Sequence, residues 1–302
     1  MTDLLKNCKL CPRLCGADRT QTRGLCGANN QIEAARASLH QWEEPPISGT
    51  NGSGTVFFSH CSLGCVFCQN RQISRRDGVG QALSAEDLAD TFLSLETKGA
   101  HNINLVTGAH YAPQIIQALS LAKRKGLHIP IVYNSSGYER VETLQLLEGY
   151  IDIYLPDYKY YSSYYACRYS HVEDYREIAV EAITEMVRQT GLPQFDENGL
   201  LTHGTIIRHL MLPGLGNDTA QVLRDIASRF GDTVLVSLMR QYTPFDMQEW
   251  PELNRTITEE EYADACELFY SLGLGGFFQQ SGSIGESFIP IFDGSGLEVY
   301  KS

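Results

Sequence analysis

No run of 18 or more apolar residues occurs anywhere in this 302-residue chain. A helix that crosses a bilayer needs about 20, so no membrane-spanning helix is expected. The first residues, MTDLLKNCKLCP, lack the basic start and apolar stretch of a secretory leader, and a cytoplasmic protein is expected. Positive charge is scarce: 24 Lys and Arg stand against 36 Asp and Glu, a net charge of −12. Such a chain lacks the electrostatic footprint that phosphate backbones require, so nucleic acid is not expected as a partner, nor is a membrane. Beyond residue 68 cysteine nearly disappears, leaving only Cys167 and Cys266. These two read as small apolar side chains.

What is present begins with 43% apolar residues, enough for a large core. Residues 1–50 read as irregular. They hold four cysteines and few periodic segments, then WEEPPISGTNGSG, whose Pro and Gly mark a linker or a covering arm. From 51 to 302 the pattern changes. TVFFSH, INLV, IPIVYN, IDIYL, GTIIRHLML, TVLVSLM and GFFQQ read as strands, with a helix between most neighbours. Ser84 and Asp87, and again Thr258 and Glu261, have capping-box spacing. Pro113 in the first turn and Gly126 past the end frame another helix. Repeats with short connections argue a parallel sheet, and nearly continuous apolar strands argue a covered or closed one. The expected fold is α/β: a partial (β/α)6 TIM-type barrel over 51–302, preceded by a small Cys-rich metal-binding extension and covering arm over 1–50. In such barrels the site lies at the C-terminal ends of the strands.

The other seven cysteines fall within the first 68 residues. In a reducing compartment such clustering reads as metal ligation, not as a disulfide framework. Cys61, Cys65 and Cys68 form C-x3-C-x2-C directly after a strand, in SHCSLGCVFCQN. Ordinary iron–sulfur cubes take four thiolates. Three leave one iron open to an outside ligand, and an amino acid's amine and carboxylate can chelate it. The plainer alternative is three buried or zinc-binding cysteines. Cys8, Cys11, Cys15 and Cys26 suffice to close a tetrahedral site. Zinc and an auxiliary iron–sulfur cluster both suit four thiolates, and the Pro and Gly flanking CPRLCG lean towards zinc.

The three-cysteine stretch resembles the signature of the radical SAM superfamily. Nearly the whole chain is similar to the pyruvate formate-lyase activating enzyme branch, especially its PflX-like relatives. The resemblance implies a [4Fe-4S] cluster on Cys61, Cys65 and Cys68, with S-adenosyl-L-methionine (SAM) as its partner. It implies reductive cleavage of SAM to a 5′-deoxyadenosyl radical that abstracts hydrogen, in an anaerobic oxidoreductase. An electron donor such as flavodoxin or ferredoxin is implied too, as is activation of a glycyl radical enzyme. By the same resemblance Phe67 lies against the adenine. YLPDYKY resembles the activases' D-x-K motif, so Lys159 pairs with the SAM carboxylate and Asp157 lies near the methionyl part or a bound cation. IIRHLMLPG resembles their Pro-Gly strand, which makes Arg208 a SAM contact and turns His209 the other way. Asn134 and Ser136 are either hydrogen-bond partners of the cofactor or a plain polar turn.

Two departures from the activases stand out. Their Gly-Gly-Glu motif holds the SAM ammonium, whereas VTGAHYAP offers Thr107, Gly108 and carbonyls but no carboxylate. Where they have a histidine after the sixth strand, SLMRQYTP supplies Gln241 and Tyr242. His110 is either a substrate-side group or a structural histidine. His40, Trp42, Glu43 and Glu44 are ordinary surface unless the arm folds over the barrel mouth, near the substrate. These departures, with the cysteine extension and the tail GSIGESFIPIFDGSG, favour modification of a peptide or small metabolite as the alternative to a protein substrate. A different class, a non-catalytic iron–sulfur redox relay, has no need of Asp157, Lys159 and Arg208 around an amino acid's carboxylate.

Overall fold

The computed structural model describes residues 2–279 and 290–298. Residues 282–289 of the tail considered above therefore lie outside the described residues. The strands are β1 (Ile32–His40), β2 (Ser53–Phe58), β3 (Gln81–Leu83), β4 (Ile103–Val106), β5 (Ile131–Ser135), β6 (Ile153–Pro156), β7 (Gln194–Phe195), β8 (Leu201–Leu210), β9 (Leu235–Met239) and β10 (Gly276–Phe278). They line up as β10-β9-β8-β6-β5-β4-β2-β1-β3, with β7 added on β8. From β2 to β10 every neighbour on this path is parallel. Only β1 and β3, at one edge, and the short β7 are antiparallel.

Helices cover the outer face: α1 (Thr2–Lys6), α2 (Pro45–Ser48), α3 (Arg71–Ser74), α4 (Ala85–Thr97), α5 (Ala112–Lys125), α6 (Val141–Leu146), α7 (Ser163–Ser170), α8 (Tyr175–Thr190), α9 (Gly216–Arg229) and α10 (Glu259–Ser271), with α1 to α3 as the short exceptions. Six strand–helix units followed by a last strand make the open, partial barrel expected from the sequence. Both capping boxes form, at Ser84/Asp87 and Thr258/Glu261. Gly126 ends α5 in the left-handed conformation, with φ +107. Alternation along each strand sorts the side chains. Leu105, Tyr133 and Tyr154 pack outward beneath the helices, whereas Val132, Leu155 and Ile206 meet inside the barrel.

Residues 1–50 are less irregular than their sequence indicates, because β1 is a nine-residue strand, with one register shift between Ala34 and Arg36. Its sequence, IEAARASLH, is too rich in Ala and polar residues to signal a strand. Pairing with β2, from Ala34–Phe58 to His40–Ser53, imposes one instead. Since β1 runs against β2, His40 finishes at the end of the barrel opposite the cysteine loop. The arm then enters from that end and does not fold over the mouth. Ile47 of α2 is fully buried against Val132, Leu155 and Ile206, and its carbonyl accepts from Asn102 Nδ2 at 2.8 Å. Among the described residues no helix is long and apolar enough to cross a membrane.

Candidate active site

At the end of β2 the chain turns through Ser59 and His60 into the three-cysteine loop. Cys61, Cys65 and Cys68 line one cleft at the C-terminal ends of the parallel strands. Hydrogen-bond donors aim at their sulfurs. The Leu63 N–H points at Cys61 Sγ at 3.4 Å, and Ser170 Oγ donates to Cys65 Sγ at 2.9 Å. Burial pushes the Cys65 thiol up to about 12, although Lys159 pulls it the other way. Cys68 is raised by burial as well. Thiolates here call for a positive partner close by. Soft ligands with donors aimed at sulfur fit an iron–sulfur cube. Among the described residues no three Cys, His, Asp or Glu side chains close around a single ion-sized point; a cube spaces its ligands more widely than one ion does.

The charged part of the cleft comes from three strand ends. Arg208, on the inner face of β8, donates to Asn134 Oδ1 at 2.6 Å and to Asp157 Oδ1 at 3.2 Å. Lys159 Nζ donates to Asp157 Oδ2 at 2.5 Å. Burial opposes ionisation of Asp157, but Lys159 and Arg208 outweigh it and hold the carboxyl below its usual range. Burial would likewise discharge Lys159, and Asp157 overcomes it, so the ammonium is held more firmly than usual. Tyr175 on α8 fixes this turn. Its Oη accepts from the Lys159 N–H at 3.0 Å and lies 2.8 Å from the Ser136 and Asp157 carbonyls. Gly137 makes the close approach possible, since a Cβ there would stand 2.1 Å from the Asp157 carbonyl oxygen.

Glu43 arrives from the arm. Its Oε2 lies 3.3 Å from Arg208 Nη1, and its Oε1 accepts from Asn104 Nδ2 at 3.0 Å. Burial raises its pKa against the pull of Arg208 and Asn104, and burial raises that of Glu44 in the same way. His40 and Trp42 also line the cleft, with burial pushing His40 down to about 4.

Of the positions singled out in the sequence, Thr107, Asn134, Ser136, Asp157, Lys159, Arg208 and Gln241 line the cleft with the three cysteines. Phe67 and Gly108 do not line it. The Phe67 ring is buried edge-on to Tyr160 and Tyr242, at 6.5 and 6.4 Å. Gly108 faces α5, where a Cβ would come within 2.7 Å of Ile115 Cδ1. His110 sits behind the loop, only 2% exposed. Its Nε2–H donates to the Ser59 carbonyl at 2.9 Å, and burial pushes its pKa down to about 3. His209 does face the other way, bonded to the Tyr158 carbonyl and to Thr219. Ser170 and Tyr175 gave no signal in sequence, because each belongs to an ordinary helix and acts only through tertiary placement.

Beside the loop sits the N-terminal cysteine group. Cys8, Cys11 and Cys26 are buried and Cys15 is exposed. Burial pushes Cys11 up to about 12, with Cys26 and Cys8 adding to the effect. Burial also raises Cys26, helped by Cys8 and Cys15, so the four thiols are electrostatic neighbours. At Cys15 backbone donors from Leu25 and Ala17 outweigh burial and lower the pKa. Four non-glycine residues among those described have positive φ: Leu14 (44), His60 (73), Thr107 (62) and His171 (58). Each such residue costs about 1–3 kcal/mol and persists only where its surroundings over-determine it. Leu14 adjoins Cys15, His60 adjoins Cys61 and Thr107 lines the cleft. The strain is concentrated at the two cysteine groups and the cleft.

The radical SAM superfamily model matches residues 55–226, from β2 into α9. An uncharacterised protein of Methanocaldococcus jannaschii is 29% identical over 273 residues, which cover 88% of this chain and 75% of that protein. Among solved structures, a radical SAM methyltransferase from Sphaerobacter thermophilus superposes with a TM-score of 0.53 at 12% identity, over 84% of this chain and 79% of that one. SuiB of Streptococcus suis, solved with its precursor peptide SuiA, gives a TM-score of 0.50 at 12% identity, over 74% of this chain and 47% of SuiB. At such identities the two structures show a shared fold.

Proposed function

The chain belongs to the radical SAM superfamily, and on that premise we propose that its cleft binds SAM beside a [4Fe-4S] cluster to begin hydrogen abstraction from a glycine of a partner enzyme. The observation that carries the cofactor reading is the Asp157–Lys159–Arg208 set facing the same cleft as Cys61, Cys65 and Cys68. A cluster with one open iron, once bound, supplies the electron that splits the sulfonium of SAM. The chain's own residues do the rest. Lys159 and Arg208 are held charged and pre-oriented for a carboxylate, and Asp157 keeps both in place. Thr107, Asn134 and Ser136 offer neutral hydrogen bonds, and Ile47 of α2 fills the barrel interior against Val132, Leu155 and Ile206.

Activation of a glycyl radical enzyme is supported by the D-x-K turn and the Pro-Gly strand. The second reading, modification of a peptide or metabolite, draws on Glu43 and α2, which occupy volume inside the barrel. Cys8, Cys11, Cys15 and Cys26 are proposed as a second metal centre, zinc or an auxiliary cluster, in a module of residues 1–50 that precedes the barrel. A flavodoxin or ferredoxin is the proposed electron donor. The test is anaerobic reconstitution with SAM, reductant and glycyl radical enzymes of the same organism. A glycyl electron paramagnetic resonance doublet that depends on Cys65 is expected. 5′-Deoxyadenosine formed without any protein radical would transfer the reading to a peptide or metabolite. No 5′-deoxyadenosine at all, in protein with its iron in place, would defeat both.

A further inference from the structure

Of the four arginines in residues 1–50, Arg13, Arg19 and Arg23 lie among the N-terminal cysteines, and Arg13 and Arg23 touch the three-cysteine loop. Arg13 lies between Cys11 and Cys15. Its Nε donates to the Ser62 carbonyl at 3.0 Å and its Nη2 reaches the Leu63 carbonyl at 3.5 Å. The same guanidinium donates to the carbonyls of His171 at 2.8 Å and Ser170 at 3.3 Å, and Ser170 is the residue whose hydroxyl donates to Cys65 Sγ. Among the described residues no carboxylate is a hydrogen-bond partner of Arg13.

Arg19, between Cys15 and Cys26, is completely buried. It donates to the His110 carbonyl at 2.5 Å and approaches Cys8 Sγ at 3.8 Å; His110 in turn donates to the Ser59 carbonyl. Arg23, in the same interval, has Nη1 3.2 Å from His60 Nε2 and Nη2 3.0 Å from Glu33, which also meets His60 at 2.9 Å. His60 is the left-handed residue immediately before Cys61. The loop from Ser59 to Leu63 is thus held directly by Arg13, at Ser62 and Leu63, and by Arg23, at His60, and indirectly by Arg19 through His110.

We propose that Arg13, Arg19 and Arg23 are positioning residues for the cluster: the N-terminal module fixes the shape of the Ser59–Leu63 loop, and Arg13 adds positive charge beside the cluster's ligands. This rests on Cys61, Cys65 and Cys68 holding the cluster, and not on which metal occupies the other four cysteines. A rigid module makes a rigid grip, so metal at Cys8, Cys11, Cys15 and Cys26 stiffens a loop it never touches. The reduced cluster carries one more negative charge than the oxidised one, and nearby charge tunes that equilibrium. Loss of Arg13 therefore disfavours reduction.

The experiment compares wild type, Arg13→Gln, Arg13→Lys and Arg23→Gln in two states. In metal-free full-length protein, amide hydrogen exchange at residues 59–63 is expected to rise on the order of tenfold in both Gln variants, about the effect of one lost charge-assisted hydrogen bond, while β4 to β6 are unchanged. After reconstitution, Arg13→Gln is expected to show a more negative cluster potential and an altered electron paramagnetic resonance signal with SAM. Arg13→Lys should recover most of the potential, because the charge returns. Wild-type exchange, potential and spectrum in both Gln variants would overturn the proposal. So would a general loss of stability with an unchanged cluster spectrum in the folded fraction. If wild type itself assembles no cluster on Cys61, Cys65 and Cys68, the proposed function has failed instead, and the exchange measurement still decides the grip.

Discussion

Glu43 and Arg208 meet at 3.3 Å inside the barrel, across 165 positions of sequence. Arg208 is thereby shared between Asp157 at the mouth and a carboxylate brought from the opposite end by the arm. Glu43→Gln should cost about 1–3 kcal/mol, because a buried charged donor loses its anion. A surface glutamate would change stability by no more than about 0.5 kcal/mol. Urea unfolding at neutral pH distinguishes the two, and an unchanged midpoint and slope would remove Glu43 from the site.

Lys159→Ala and Arg208→Ala should each weaken SAM binding without altering the cluster's absorption. Truncating one partner of a buried charge pair costs about 2–5 kcal/mol. The Arg208 variant should show the smaller ratio of the two, since Asp157 and Glu43 already engage its guanidinium. Equilibrium binding on reconstituted protein is the measurement. Undiminished affinity in both variants would place SAM elsewhere.

The cysteine loop and the D-x-K turn were legible because their meaning is local: spacing after a strand fixes what the side chains can share. Arg208 was singled out by the resemblance of its strand to the Pro-Gly strand, and the alternation of a regular strand then turned His209 the other way. β1 was not legible, as its pairing comes from β2 and its composition is neutral. Nor was the direction of the arm, which follows from β1 running against β2. Glu43 looked like any solvated acid in WEEPP; only the buried Ile47 four residues later, in the barrel interior, draws it in. The arginines between the N-terminal cysteines carried no pattern, since their partners are carbonyls of a distant loop. Phe67 shows the opposite case: its motif position implies a cofactor contact, while its ring is buried between two tyrosines.

Glu139 makes a prediction about pH. Its side chain is buried, with Ser135 Oγ donating to Oε1 at 2.8 Å, and burial raises its pKa from 4.5 to about 7 against that hydrogen bond. A carboxyl raised on folding stabilises the protein fully below its unfolded value, and that contribution disappears as the pH rises through the folded one. At 1.36 kcal/mol per unit, the loss between pH 4.5 and about 7 is about 3 kcal/mol at most. Glu139→Gln keeps the partner and abolishes the titration. Its unfolding free energy should lack this decline and exceed that of wild type at pH 8. Parallel pH profiles for the two proteins would show that folding does not raise the pKa of Glu139.

Replacing the two cysteine groups separately should have separable effects. Ala at Cys61, Cys65 or Cys68 removes one ligand of the cluster, yet each side chain is small and sits in a loop at the end of β2, so the barrel core is preserved. 5′-Deoxyadenosine formation should vanish while the melting transition stays close to that of wild type. The triple Ala variant isolates the other group, and its metal content identifies the centre: one zinc per chain, or several irons with charge-transfer absorption. Because ligation and local folding are coupled, chelation of that variant should increase proteolysis within residues 1–50 before the barrel is attacked. SAM cleavage retained in all three single variants would sink the assignment of the cluster, and a triple variant free of both metals would sink the second centre.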